Sequence, residues 1–247
     1  MTRPSTAVRP DSPLGLGIKL FADGANRDQI IKLAGESHVE GFTTNPTLMR
    51  SSGVTDYRSF AQELLALVTD KPISFEVFAD ETDEMYRQAK EIASWGSNVY
   101  VKVPVTNTRG DSTAAVVRRL TEEGVQVNIT AIFTVDQVSE VAAAVANGAP
   151  SIISVFAGRI ADTGRDPVPH MIKCVEAASP APRAEVLWAS PREVLNLYQA
   201  DAAGCHIITM TPDVLAKLNL RNKDLGEYSL DTVKMFYEDA QRAGYSL

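Results

Sequence analysis

Residues 99–105 read VYVKVPV, a run in which valine occupies every second position. β-Branched residues favour strands, and successive side chains of a strand point to opposite faces. The four valines therefore share one face of a predicted strand, while Lys102 lies on the other face between Tyr100 and Pro104. One face suits apolar packing, and the opposite face carries a single amine.

Seven further strand-like runs precede and follow this one, and helical patterns of about ten to fifteen residues separate them. The eight predicted strands are 17–23, 41–45, 72–78, 99–105, 126–130, 151–156, 185–190 and 206–209. The predicted helices between them are 27–34, 57–68, 83–93, 113–123, 135–146, 167–177 and 191–198. Alternating strands and helices are typical of βα units in a parallel sheet. Eight such units fill the roughly 250 residues of a single (β/α)8 TIM barrel, so the sequence predicts this α/β fold.

The two ends of the chain lie outside this eightfold repeat. Residues 1–13 contain three prolines and no apolar segment, which predicts a loose N-terminal tail and not a secretory signal. Residues 229–243 carry a broad apolar stripe. This stripe predicts an additional C-terminal helix that covers the barrel, covers its mouth or docks on a neighbouring subunit. No linker or shift in composition divides residues 14–247, so we expect a single barrel domain that includes this helix.

Charge and composition exclude several classes of partner. The 247 residues carry 24 Lys and Arg against 31 Asp and Glu, a formal net charge of −7, and no basic cluster offsets it. This balance argues against nucleic acid, whereas two or three arginines can still hold a small phosphate. No apolar run approaches a membrane span. Cys174 and Cys205 are too few for a disulfide scaffold and predict a cytoplasmic setting. His38, His170 and His206 share no spacing, so no metal is expected.

The same alternation, applied to the first, third, fifth and sixth strands, places polar side chains inward at or near their carboxyl ends, and Asn45 and Ser190 stand at the carboxyl ends of two further strands. These residues are Asp23, Asn45, Glu76, Lys102, Asn128, Thr130, Ser154 and Ser190. Functional groups of such barrels collect at this end. Structural explanations exist for some of them: Lys102 ion-paired with Glu76, or Asn45 forming a turn with Pro46. So many polar groups at one end would nevertheless carry a large desolvation cost without water or a ligand, which favours a binding mouth.

Five short motifs carry a resemblance to a known family. They are GFTTNPT at 41–47, VKVP at 101–104, NIT at 128–130, SVFAGRI at 154–160 and ASPR at 189–192. In this order and spacing they resemble the transaldolase family, class I aldolases built as α/β barrels that use a Schiff-base lysine and neither a metal nor another cofactor. The resemblance spans residues 17–218. Two departures are a bulky Phe42 and a longer loop after Thr106.

The resemblance implies a role for each residue of the predicted mouth. Lys102 would attack the C2 carbonyl of a ketose phosphate and form the Schiff base. Asp23 would exchange the proton of the C4 hydroxyl, and Glu76 with Thr130 would hold a catalytic water. The substrate-binding residues that it implies are Asn45, Asn128 and Ser154 for the dihydroxyacetone hydroxyls, Phe156 beside them, and Arg159, Ser190 and Arg192 for the phosphate.

The resemblance also implies a reaction. We expect transfer of dihydroxyacetone from sedoheptulose 7-phosphate or fructose 6-phosphate to an aldose phosphate, in the pentose phosphate pathway. Fructose-6-phosphate aldolases, which release free dihydroxyacetone, usually have Gln where Glu76 stands and Tyr where Phe156 stands. Three alternatives stay open: such an aldolase, a specialised transaldolase making a less common sugar phosphate, and a non-catalytic sugar-phosphate-binding barrel. Short members of the family form rings of subunits, which implies a homo-oligomer.

Overall fold

The computed structural model describes residues 8–10 and 12–246. Eight strands close into a barrel in chain order, and every neighbouring pair is parallel. The strands are β1 (Lys19–Asp23), β2 (Gly41–Thr43), β3 (Ile73–Glu76), β4 (Val99–Pro104), β5 (Val127–Ile132), β6 (Ser151–Val155), β7 (Ala184–Trp188) and β8 (Ile207–Met210). The predicted (β/α)8 barrel is confirmed.

Ten helices belong to the barrel among the described residues. They are α1 (Arg27–Ala34), α2 (Pro46–Ser51), α3 (Tyr57–Leu67), α4 (Thr82–Ala93), α5 (Ala114–Glu122), α6 (Val135–Val145), α7 (Ala157–Asp162), α8 (Pro167–Ala177), α9 (Leu195–Ala202) and α10 (Pro212–Ala216). The sequence did not predict α2 and α7, which follow β2 and β6 directly. The helix predicted from residue 191 begins only at Leu195. Ser190 has a left-handed backbone (φ 59°), whereas helix N-caps are usually extended.

The two faces of β4 lie as the alternation predicts. Val99, Val101, Val103 and Val105 are all buried. The opposite face lines the barrel interior, where Tyr100 packs against an apolar cluster. The buried members of this interior cluster are Phe21, Ile152, Leu187, Ala189 and Ile207. The cluster packs part of the interior, and polar side chains are gathered in the cavity at the carboxyl ends of the strands.

By its internal contacts the chain forms two compact units that divide between Leu215 and Ala216. The second unit contains a 3₁₀ helix (Lys217–Leu220) and α11 (Leu225–Ala243). α11 begins four residues before the predicted position, because the Asp224 side chain accepts a hydrogen bond from the Glu227 amide and caps the helix there. None of its described residues is buried. The single domain over residues 14–247 stays a prediction.

The predicted tail, residues 1–13, lies mostly outside the described residues. Within it, Arg9 forms a two-pronged ion pair with Glu40 at 2.6 and 2.7 Å. Across residues 8–10 and 12–246, none of the helices combines the length and the apolar character needed to cross a membrane.

Candidate active site

A cavity of about 590 Å³ opens at the carboxyl ends of the barrel strands. Of the predicted site residues, ten line it: Asp23, Asn45, Glu76, Lys102, Thr130, Ser154, Phe156, Arg159, Ser190 and Arg192. Asn128 does not line the cavity and is fully buried. The structure therefore brings together residues that are up to about 170 positions apart in the chain, because the strand ends of a closed parallel barrel meet at one rim.

Lys102 and Glu76 form a buried pair in this cavity. The register of β3 and β4 sets them side by side, and Nζ of Lys102 lies 2.9 Å from Oε1 of Glu76. The side chains retain only 10% and 7% of their exposure to solvent. Burial raises the pKa of the Glu76 carboxyl, and the Lys102 amine opposes this rise. A carboxyl and an amine within proton-transfer distance can pass a proton between a bound carbonyl compound and the protein.

Thr44 completes the surroundings of this pair. Its carbonyl oxygen accepts a hydrogen bond from Nζ of Lys102 at 2.6 Å. Its hydroxyl lies within hydrogen-bonding distance of two acceptors, the Ser74 carbonyl at 2.7 Å and Oε2 of Glu76 at 3.2 Å. β2 has already ended at Thr43, so the Thr44 peptide is free to turn toward the lysine. Thr44 was not predicted from the sequence, because its contact with Lys102 is made by the main chain and carries no side-chain signal.

Asp23 is a second carboxyl of the cavity and interacts electrostatically with Lys102. The Thr43 hydroxyl donates to its Oδ1 at 2.8 Å, and the Asn45 amide donates to its Oδ2 at 3.4 Å. Because that hydroxyl has one proton, the Thr209 hydroxyl, 2.6 Å away, is the donor to Thr43. Burial raises the pKa of Asp23, and Lys102, Thr43 and Asn45 oppose the rise. Thr43 and Thr209 were not predicted, although both have inward parity in their strands.

Asn45 has two functions in the local structure. Its side-chain oxygen accepts from the Leu48 amide at 2.9 Å and caps α2, with Pro46 as the first helical residue. Its amide nitrogen at the same time faces Asp23. The helix start therefore fixes the orientation of the Asn45 side chain at the cavity wall.

A line of hydrogen bonds holds the floor of the site. The Ser154 hydroxyl donates to the Asn128 side-chain oxygen at 2.6 Å, and the Asn128 amide donates to the Ser74 hydroxyl at 3.0 Å. Between Ile129 and Ile132 the β5–β6 register shifts, and Ala131 has a positive φ of 60°. Next to this bulge the Thr130 hydroxyl is buried and has no hydrogen-bond partner among the described residues. It is thus available to a molecule in the cavity.

Two arginines lie at the rim. Arg159, on α7, has its guanidinium carbon 5.1 Å from the centre of the Phe156 ring. Arg192 pairs with Asp162, with Nε 3.2 Å from Oδ1 and a second contact from Nη2 to Oδ2. Arg192 is about half exposed. Two guanidinium groups at one edge of a cavity suit a phosphate group.

Gly158 and Ser190 bring the two arginine-bearing segments into contact. The Gly158 amide donates to the Ala189 carbonyl at 3.1 Å. A Cβ atom on Gly158 would lie 1.5 Å from the Ser190 carbonyl oxygen. Only glycine allows this close approach, which sets the distance between α7 and the segment after β7.

Comparison with known proteins identifies the family of this chain. The family model described as transaldolase/fructose-6-phosphate aldolase matches residues 20–247. The chain belongs to this family. A relative in Dehalococcoides mccartyi, named "Probable transaldolase", is 35% identical over 202 residues, which cover 81% of this chain and 90% of that protein. "Probable transaldolase 2" of Listeria monocytogenes is 34% identical over 203 residues, covering 81% and 88%.

The fold of this transaldolase/fructose-6-phosphate aldolase family member is also similar to that of solved structures. The crystal structure of the citrate synthase SbnG superposes with a TM-score of 0.57 at 12% sequence identity, covering 93% of this chain and 96% of that one. The superposition shows a shared barrel fold, and at this identity it carries no information about the chemistry. Membership of the family makes the chain an enzyme of the aldolase and transaldolase type. Among the residues that the structure describes, no group of three or more His, Cys, Asp or Glu side chains is placed to hold a metal ion.

Proposed function

We propose that the protein is a transaldolase that carries dihydroxyacetone as a Schiff base on Lys102. The donor would be sedoheptulose 7-phosphate or fructose 6-phosphate and the acceptor an aldose phosphate, as in the pentose phosphate pathway. The observation that carries the proposal is the buried contact between Nζ of Lys102 and Oε1 of Glu76, inside a cavity large enough for a sugar phosphate.

Formation of the Schiff base needs a nucleophilic amine and a proton carrier. Lys102 attacks C2 of the ketose, and the resulting carbinolamine loses its hydroxyl as water when that oxygen receives a proton. Glu76 lies at the right distance to exchange these protons, and its raised pKa lets the carboxyl both hold and release a proton nearer neutral pH. The Thr130 hydroxyl, which has no hydrogen-bond partner within residues 8–10 and 12–246, is suited to hold the water that is released and later re-enters.

Cleavage of the C3–C4 bond then requires a base at the C4 hydroxyl. Asp23 takes that proton while the bonding electron pair moves into the iminium, which leaves an enamine on Lys102 and releases the aldose phosphate. The pKa of Asp23 is raised by burial, which strengthens it as a base. When the acceptor aldehyde arrives, the enamine carbon attacks it and Asp23 returns the proton to the new hydroxyl.

Transfer depends on retaining the three-carbon unit between the two half-reactions. Ser154, held by Asn128, and Asn45, held by its helix cap, present fixed polar groups to the dihydroxyacetone hydroxyls. Arg159, Arg192 and Ser190 would bind the phosphate, with the phosphate replacing Asp162 as the partner of Arg192. Fixed groups lose little entropy on binding, which favours retention of the enamine.

Product analysis tests this proposal against its alternatives. Fructose 6-phosphate and erythrose 4-phosphate together should give sedoheptulose 7-phosphate and glyceraldehyde 3-phosphate. Free dihydroxyacetone as the main product would instead indicate a fructose-6-phosphate aldolase, although Glu76 and Phe156 are the residues typical of transaldolases. A panel of other aldose phosphates as acceptors identifies a specialised transaldolase. Absence of any reaction, with binding retained, would indicate a binding protein.

The proposal includes a homo-oligomer in the cytoplasm. α11 exposes several large apolar side chains: Leu225, Tyr228, Leu230, Val233, Met235, Phe236 and Tyr237. An apolar face of this size on one helix is suited to contact with another subunit. Light scattering of the purified protein should give a multiple of the 26.8 kDa chain, and a monomer would contradict this part of the proposal.

Cys174 and Cys205 are both free and buried, as a reducing compartment permits.

A further inference from the structure

The ladder between β2 and β3 stops just below the Lys102–Glu76 pair. β2 ends at Thr43, whereas β3 runs on to Glu76. In the observed register the Phe42 amide donates to the Pro72 carbonyl at 2.8 Å. Continued by two steps, this parallel pattern would pair the Glu76 amide with the Thr44 carbonyl. Instead, the Thr44 carbonyl accepts from Nζ of Lys102.

A tyrosine hydroxyl takes the place of the missing strand. The Glu76 amide donates to the Tyr57 hydroxyl at 2.6 Å, and that hydroxyl donates to the Glu76 carbonyl at 3.1 Å. One side-chain oxygen therefore satisfies both main-chain groups of Glu76. Backbone groups buried at this depth would otherwise be left without partners, which proteins almost never tolerate.

A helix cap and aromatic contacts hold Tyr57 in position. It is the first residue of α3, and the Asp56 side chain caps this helix by accepting from the Ser59 amide at 3.0 Å. Its ring makes edge contacts with Phe75, Phe78 and Trp95, at centroid distances of 6.2, 4.6 and 5.8 Å. Burial raises the pKa of Tyr57, and the nearby Glu76 carboxylate raises it further, so the hydroxyl keeps its proton.

We propose that Tyr57 is a positioning residue for the reaction: it fixes the Glu76 main chain so that the carboxyl meets Lys102, and it leaves the Thr44 carbonyl to bind the lysine. Tyr57 does not line the cavity, so it acts through Glu76 and not on the substrate. This inference rests on the proposed function, because it assigns Tyr57 to the proton transfers of Schiff-base formation.

The test is the substitution Tyr57→Phe, which removes the hydroxyl and keeps the ring. We expect the rate of borohydride-trapped Schiff-base formation with fructose 6-phosphate to fall at least about tenfold, with KM changed less than about twofold. The acidic limb of the pH–rate profile should move to higher pH, because a Glu76 carboxyl held less firmly against Lys102 loses the interaction that lowers its pKa. The matched control is Tyr86→Phe, whose hydroxyl contacts Glu123 on the surface.

A double-mutant cycle separates positioning from general destabilisation. In a Glu76→Gln background, Tyr57→Phe should have little further effect on the trapping rate, because the group that it positions no longer transfers protons. An equal loss in both backgrounds would overturn the proposal, and so would a wild-type rate and pH profile in folded Tyr57→Phe protein. If that variant does not fold, 4-aminophenylalanine at position 57 keeps the donor to the Glu76 carbonyl and, through its nitrogen lone pair, a weaker acceptor for the Glu76 amide. Most of the wild-type rate should then remain, and a loss as large as that expected for phenylalanine would overturn the proposal.

One measurement tests the positioning role of Tyr57 without any catalytic turnover. The Glu76 carboxyl can be titrated by carbon NMR in ligand-free protein, in the wild type and in each variant. Its midpoint should move to higher pH in Tyr57→Phe and stay unchanged in Tyr86→Phe. If the wild-type protein forms no adduct with ketose phosphates, the proposed function fails, while this titration still supports or overturns the role of Tyr57.

Discussion

Nζ of Lys102 lies 2.9 Å from Oε1 of Glu76, and both side chains are almost completely buried. Burying two charged groups carries a desolvation penalty that their mutual attraction does not always offset, so such a pair is weak evidence for a stabilising role. Within a cavity lined by further polar groups, the same pair is better explained as acid–base chemistry. This explanation can be tested by substituting individual residues of the cavity.

Lys102→Met should abolish the covalent adduct that borohydride traps with fructose 6-phosphate. Without the amine no Schiff base forms, and peptide mass spectrometry should locate the wild-type adduct on Lys102. The matched control is Lys19→Met, since Lys19 also points into the barrel but pairs with Glu185 near its amino-terminal end, at 2.8 Å. An adduct that persists in Lys102→Met and disappears in Lys19→Met would place the nucleophile at the other lysine.

Asp23→Asn should retain the trapped adduct and lose carbon–carbon bond cleavage. Asparagine keeps an oxygen that can accept from Thr43 but cannot take the C4 proton. We expect kcat to fall by about 10²–10⁴-fold, the usual contribution of a general base. Single-turnover measurements of adduct formation and of aldose phosphate release separate the two steps, and a variant that cleaves at the wild-type rate would remove Asp23 from this role.

The same substitution should change how stability depends on pH. Because the folded pKa of Asp23 is raised, the folded protein holds this proton at a pH where the unfolded chain has lost it. The free energy of unfolding therefore decreases as pH rises from about 4 through the folded pKa. Asp23→Asn removes this decrease, so the variant should gain stability relative to wild type toward neutral pH. Urea unfolding at a series of pH values measures this difference, and parallel curves would contradict it.

Gly158→Ala should impair the binding of phosphorylated substrates. The added Cβ would lie 1.5 Å from the Ser190 carbonyl oxygen, so α7 and the segment carrying Arg192 must separate. A displacement of about 1 Å is enough to reduce kcat/KM by on the order of 10²-fold. The matched control is Gly35→Ala, where the nearest atom is 3.5 Å away. Kinetics of both variants, with thermal melting to confirm folding, tests the prediction, which wild-type kinetics in Gly158→Ala would refute.

Arg159→Met and Arg192→Met should each raise KM for fructose 6-phosphate. Hydrogen bonds to charged groups contribute about 1.5–3 kcal/mol, which corresponds to roughly 10- to 150-fold in binding. Arg165→Met is the control, because Arg165 is an exposed arginine that hydrogen-bonds Thr163 and does not line the cavity. Equal effects of all three substitutions would indicate a general electrostatic influence and no specific phosphate site.

Local pattern was enough to predict the barrel. Most strands were recognisable from β-branched and aromatic residues, and the alternation in residues 99–105 placed Lys102 inside correctly. The short helices α2 and α7 were missed because six residues are too few to show a helical period. Thr43 and Thr209 were missed because a single threonine in a strand is ordinary, although the parity of each strand places it inward.

By itself the sequence determined the βα repeat, the inward face of each strand and the set of polar groups at the strand ends, because these depend on neighbours one to four residues away. Only the tertiary structure decided which of those groups touch. Register between strands joins Thr43 to Thr209 and Glu76 to Lys102, and the end of β2 gives the Thr44 carbonyl to Lys102 and the Glu76 main chain to Tyr57. These contacts link distant segments through barrel closure, which no local pattern of residues encodes.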